Sequence, residues 1–257
     1  MRRVVPILLG VLMAMLAAAF LSSPPEGEAQ SQRKPGKRAS TLPLIVDLRP
    51  MFKEFGLEPR SQGKRNTCSV FVTTWALEFA LAKNLGKGVP LSVEYLNWAC
   101  NQVINNRTED RGQFFHDLLK GYDRHGVCPE QDMPYADRFD PQLEPSARAI
   151  KTAGQVRARG LKVSWINPWR PQPGLTDEHV RQIKETLAKG WPVAAGSGHS
   201  RLLVGYRDDS TQPGGGVFIT KDSGAGAYTE ASYDWVKTNV GDVFWAESTP
   251  KRSTKRR

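Results

Sequence analysis

Three cysteines, four histidines and one amide carry most of the chemistry open to this 257-residue chain. Cys68 stands where the loop Gln62-Gly63-Lys64-Arg65-Asn66-Thr67 gives way to a strongly periodic segment. A thiol at a helix N-terminus feels the positive end of the helix dipole, which favours the thiolate and makes a nucleophile. Gln62, just upstream, offers the neutral N–H donor that can steady an oxyanion beside an attacked carbonyl. His199 lies in Gly196-Ser197-Gly198-His199-Ser200-Arg201-Leu202-Leu203-Val204-Gly205-Tyr206, where it opens an apolar run and can be held at a cleft edge. The other histidines have weaker settings. His116 and His125 lie in or beside one helix and His179 in a capped amphipathic helix, so these three read as surface or packing residues.

Composition excludes several classes. A hydrophobic fraction of 39% and an aromatic fraction of 9% rule out a wholly disordered or collagen-like chain. Three cysteines are too few for a disulfide-dense scaffold or a four-thiolate zinc site, and no closely spaced histidine pair joins them. No phosphate loop, metal-ligand cluster or base-stacking platform is apparent, so neither a cofactor, a metal nor a nucleic-acid partner is expected. The net charge of +10 resides in the tails. Arg33, Lys34, Lys37 and Arg38 sit at one end, and Lys251, Arg252, Lys255, Arg256 and Arg257 at the other, leaving a nearly neutral body.

The elements that must position these residues can be read along the chain. Arg2 and Arg3, the apolar run 7–21 and Gly27-Glu28-Ala29 have the pattern of a secretory signal peptide over 1–29. No other apolar run is long enough to span a membrane. Residues 30–42 read as a flexible basic linker, 43–247 as the folded domain and 248–257 as a basic tail. Helices are expected from Cys68 to about Lys83, from the cap Ser92 onward, over Gln113–Arg124, over about 145–157, and from the cap Thr176 through Asp177 to Lys189. Strands are expected at Trp191–Ala195, Leu202–Arg207, Val217–Lys221 and Asp242–Ala246. A helical first half and a stranded second half predict an α+β fold of two lobes. Asn106-Arg107-Thr108 is a glycosylation sequon in a eukaryotic setting only.

Several segments, in order, resemble the papain-like cysteine peptidases. Gln62-Gly63, four residues, then Cys68-Ser69-Val70-Phe71 is similar to their active-site segment. Leu91-Ser92-Val93-Glu94-Tyr95-Leu96 looks like their second-helix opening, and Met133-Pro134-Tyr135 resembles their Tyr-Pro-Tyr turn. His199 with Val204-Gly205-Tyr206 matches their histidine strand. Val217 to Ser223 resembles the strand that ends in their third catalytic position, and Asp47-Leu48-Arg49 resembles the start of the mature enzyme. His199 and Asp222 follow Cys68 by about 130 and 155 residues, close to this family's usual separation.

The resemblance implies a helical N-terminal lobe and a β-rich C-terminal lobe with the active cleft between them. It implies Cys68 as nucleophile, His199 as its acid/base, and Asp222 as orienter of the imidazole. Gln62 and the Cys68 backbone N–H would form the oxyanion hole, and Gly112 would pair with the substrate backbone. The chain departs from the family pattern in carrying Asp222 for Asn, Gly224 for Trp and Ser69 for Trp. It also has too short a leader for an inhibitory proregion, which marks a divergent, bacterial-type member. The expected function is a secreted or periplasmic monomeric cysteine peptidase acting on protein or peptide, without stable membrane insertion after signal cleavage. Two alternatives use the same residues: a transglutaminase-like acyl transferase, and a non-catalytic binding protein on a degenerate peptidase fold. If Cys68 stays free, Cys100 and Cys128 are the remaining candidates for a disulfide in an oxidising compartment, the alternative being two unrelated free thiols.

Overall fold

The computed structural model describes residues 42–248 except residue 107. The expected signal peptide (1–29), nearly all of the linker and all of the tail beyond Ser248 lie outside the described residues.

The first half is helical. After strand β1 (Ile45–Asp47) come α1 (Arg49–Glu54), α2 (Cys68–Leu85), α3 (Val93–Ile104), α4 (Phe115–His125) and α5 (Ala147–Arg157). Helix α2 is buried on every side from Ser69 to Ala82, as befits a helix that is apolar all round. It packs against α3 and α4 and also against the sheet of the second half, so one helix forms the seam between lobes. Ser92 caps α3 by accepting a hydrogen bond from the Tyr95 N–H at 2.9 Å. Helix α4 starts two residues later than expected, because Phe114 is extended and Gln113 lies outside the helix. At Gly121 the helices α3 and α4 nearly touch: a Cβ there would lie 2.7 Å from the Cys100 backbone nitrogen.

The second half supplies β2 (Leu161–Asn167), α6 (Asp177–Ala188), β3 (Val193–Gly196), β4 (Arg201–Asp208), β5 (Gly216–Asp222), β6 (Ala227–Ser232), α7 (Tyr233–Asn239) and β7 (Asp242–Ser248). They form an antiparallel sheet in the order β2-β7-β3-β4-β5-β6, with β1 added to β4. The helical lobe and this β-rich lobe face one another across a cleft. Four strands lie close to their expected positions; β1, β2 and β6, and the helices α1 and α7, were not foreseen. Thr176 caps α6 as expected, and His179 closes the cap by accepting from the Thr176 N–H at 3.2 Å.

Lys221 ties strand to seam helix. It is fully buried on β5, donates to the Leu57 carbonyl at 2.7 Å and lies 4.2 Å from the centre of the Trp75 ring. Burial pushes its ammonium down to about 7, with Glu78 opposing. Asp222 is the next residue, so this anchorage fixes the end of β5 relative to the start of α2.

The expected Cys100–Cys128 disulfide is corrected: all three cysteines are free. Cys100 packs into the main core with α2 and α4, whereas Cys128 belongs to a second cluster with Tyr95, Ala99 and Met133. The two thiols thus enter different clusters, and burial pushes both up to about 12.

Candidate active site

Cys68 is the first residue of α2, and a dense set of contacts holds the loop before it. Arg65 is buried, pairs with Glu94 and with Asp110 at 3.0 Å, and donates to the Ala136 carbonyl at 2.9 Å. Its guanidinium also lies over the Tyr135 ring. The Tyr135 hydroxyl in turn bonds Thr67 Oγ1 at 2.7 Å and the Gln62 carbonyl at 3.0 Å. The Met133-Pro134-Tyr135 segment thus fixes the approach to the thiol from the far side of the helical lobe.

His199 arrives from the other lobe, just before β4. Its Nε2 lies 2.7 Å from Asp222 Oδ1, and a carboxylate can only accept, so Nε2 donates. That leaves Nδ1 for the side-chain hydrogen bond to Cys68. Burial pushes the Cys68 thiol up. The hydrogen bond from His199, the Ser200 backbone N–H, the His199 charge and the Ser69 backbone N–H outweigh it, and the thiol ends below its ordinary value. The bond to Cys68 raises His199; burial opposes, and the Asp222 carboxylate raises it further. The two shifts widen the pH range in which thiolate and imidazolium coexist.

Asp222 does two jobs at once. Its Oδ1 accepts from the Gly224 N–H at 2.8 Å and the Ala225 N–H at 3.3 Å, closing the turn after β5, while also receiving His199. Burial raises this carboxyl, but the hydrogen bonds and the charges of His199 and Arg201 hold it below the usual carboxylate range. Glycine at 224 leaves room for the imidazole, since a Cβ there would lie 3.0 Å from His199 Cε1 and Nε2.

Sequence reasoning missed Arg201. Its Nε donates to Asp222 Oδ2 at 2.9 Å and its Nη1 to the His199 carbonyl at 3.1 Å, and its guanidinium lies over Trp235. Antiparallel register is the signal that would have found it: Leu202 faces Lys221 across β4 and β5, so the next pair outward is Arg201 and Asp222.

The remaining expected residues lie around this centre. Gln62 is half-buried; its Nε2 donates one N–H to the Arg65 carbonyl at 2.7 Å, and its Oε1 accepts from Ser223 Oγ at 2.7 Å. Gly112 lies exposed beside Cys68 on the wall of a cleft of about 370 Å³, with open space where a side chain would stand. Ser69 is buried and accepts from the Gln113 N–H at 3.2 Å, which draws this wall toward the nucleophile. His116 stacks on Phe114, and His125 packs against Trp98; neither joins the centre. Among the described residues no helix is long and apolar enough to cross a membrane.

Neither a family model nor a curated protein matches this sequence. Solved structures do. Xylellain, a cysteine protease from Xylella fastidiosa, is similar at a TM-score of 0.63 and 19% identity, over 81% of this chain and 87% of that one. Digestive procathepsin L 3 of the Tenebrio molitor larval midgut is similar at 0.59 and 18%, over 82% and 71%. The proform of the Amb a 11 cysteine protease, a ragweed pollen allergen, is similar at 0.55 and 18%, over 83% and 67%. With its helical lobe, its antiparallel sheet and the cleft between them, the chain has the papain-like cysteine protease fold.

Proposed function

We propose that the chain is a secreted or periplasmic cysteine peptidase that hydrolyses peptide bonds through an acyl-enzyme on Cys68. The observation that carries this reading is the hydrogen-bonded line from Cys68 through His199 to the ionised Asp222, at the edge of an open cleft. The Cys68 thiolate attacks the peptide carbonyl carbon, forming the C–S bond while the C=O π pair moves onto oxygen. The Cys68 backbone N–H, at a helix start without an intrahelical partner, and the second Nε2–H of Gln62 receive that oxyanion. The C–N bond then breaks as the His199 Nδ1–H protonates the leaving amine. A water molecule, losing its proton to the same nitrogen, hydrolyses the thioester.

In this reading Asp222 keeps the imidazole oriented and charged, and Gly112 offers its backbone to an extended substrate. The peptidase domain is 43–247, preceded by a cleaved leader at 1–29 and the linker 30–42 and followed by the tail 248–257; the molecule acts as a monomer on protein or peptide. The test is hydrolysis of a mixed peptide library by the full chain, read by mass spectrometry. Cleavage that disappears in both Cys68→Ala and His199→Ala is expected. Cleavage that survives Cys68→Ala would refute the assignment. Acyl transfer to an added amine without any hydrolysis would move the protein to the transferase class.

A further inference from the structure

The cleft wall beside the nucleophile is held by side chains. Gly112 lies in the connection between α3 and α4, and among the described residues no backbone-to-backbone hydrogen bond ties residues 108–113. From α3, Asn101 accepts from Gln113 Nε2 at 2.7 Å. The other ties come from the immediate surroundings of Cys68. Asn66 Nδ2 donates to the Asp110 carbonyl at 3.2 Å, and Ser69 accepts from the Gln113 N–H at 3.2 Å. Arg65 Nε and Nη2 donate to the two carboxylate oxygens of Asp110 at 3.0 and 3.2 Å. Gly112 stands just after Asp110 and Cys68 just after Arg65. This forked pair therefore joins the two places that a bound peptide backbone and its attacked carbonyl must share.

The two partners are not equally fixed. Arg65 is buried, and before it reaches Asp110 its guanidinium is already anchored by the helical lobe. Nη1 donates to Glu94 and to the Ala136 carbonyl at 2.9 Å, and the Tyr135 ring covers a face. Glu94 is held in turn by the Ala136 N–H at 3.1 Å. Asp110 is only half-buried, and the wall it carries has no ladder of its own. A planar fork sets the direction of its carboxylate as well as its distance, which the point charge of a lysine does not.

We propose that Arg65 is a positioning residue for substrate binding: acting through Asp110, it holds Gly112 at the place over Cys68 where an extended peptide backbone is received. The inference rests on the peptidase reading for the claim that the ligand is a peptide. A wall out of place weakens the grip on every extended substrate. The chemistry of Cys68 and His199 is left as it was, so the loss falls on KM and not on kcat.

The test compares the full chain with Asp110→Ala and Arg65→Lys, using a peptide found to be cleaved, and measures in parallel the rate at which iodoacetamide alkylates Cys68. Both variants are expected to raise KM at least about ten-fold, with kcat and the alkylation rate each within about three-fold of the parent. The double variant should lose no more than about two-fold beyond the worse single one, because the two residues act as a unit. If Arg65→Lys does not melt cooperatively, Asp110→Ala alone decides. An unmoved KM in a folded variant overturns the proposal. So does an alkylation rate that falls in step with kcat/KM, since that marks general damage to the site. If the parent cleaves nothing, the peptidase reading fails and the wall is judged by binding alone. A mixed peptide library should then bind Cys68→Ala at least about ten-fold more tightly than Cys68→Ala/Asp110→Ala; equal binding, or none by either protein, overturns the positioning role as well.

Discussion

Replacing Asp222 with Asn removes the charge that His199 and Arg201 share. The Nε2–Oδ1 contact of 2.7 Å puts the charge centres about 4 Å apart. His199 is about one-third exposed, so an effective dielectric of about 40, between surface-pair and bulk-water values, is appropriate and gives an attraction of about 2 kcal/mol. Arg201 approaches the other carboxylate oxygen at 2.9 Å; its charge is then about 6 Å from the imidazolium and opposes it by about 1.4 kcal/mol. At about 1.4 kcal/mol per pH unit, Asp222→Asn should move the alkaline limb of the pH–kcat/KM profile down by about 1.5 units. The sign follows from His199: its raised pKa marks the loss of imidazolium as pH rises, so losing the anion lowers that limb. Arg201→Gln, which keeps a hydrogen-bond donor for Oδ2, should move the limb up by about one unit. The double variant should return to within about half a unit of the parent, because attraction and repulsion leave together. The assay is peptide hydrolysis across the full pH range for all four proteins. An unmoved limb in Asp222→Asn, or a double variant displaced as far as that single one, would refute the charge balance.

Other consequences can be checked separately. With Cys68 lowered and both other thiols raised to about 12, iodoacetamide at pH 6 should alkylate Cys68 at least about a hundred-fold faster than Cys100 or Cys128, and slower in His199→Ala; equal labelling by peptide mapping would contradict this. Because Cys100 and Cys128 are free, reductant should leave the thermal midpoint unchanged, whereas a bridge between them would cost roughly 3 kcal/mol on reduction. Gly121→Ala drives a methyl group into the backbone of α3 and should destabilise the helical lobe by about 1–3 kcal/mol in urea unfolding; an unchanged midpoint would mean that the two helices yield freely.

What the sequence disclosed follows from how far each signal travels. Helix α2 was legible because Phe71, Trp75, Phe79 and Ala82 repeat locally, and the α3 and α6 starts because Ser92 and Thr176 are caps that act within one turn. Strand β6, Ala227–Ser232, was not: its residues are exposed or half-buried, it shows no alternation, and it exists because β5 offers an edge. The same holds at the site. Cys68, His199 and Asp222 could be named from ordered motifs, and the structure brings them together. Arg201 could not, since its place depends on which strand lies opposite, and register is a property of the assembled sheet. The disulfide expectation failed for a related reason: that two thiols remain once Cys68 is set aside does not say which core cluster each enters.

The central claim is that Cys68 is an activated nucleophile serving a peptide-binding cleft. It is tested most directly by titrating the full chain with a peptidyl electrophile that reacts irreversibly with thiolates, following hydrolysis and intact mass together. The account predicts activity falling linearly to zero at one equivalent, with the added mass mapped to Cys68 and none formed in His199→Ala at the same rate. Hydrolysis that persists in fully modified protein, or modification spread over Cys100 and Cys128, would contradict it.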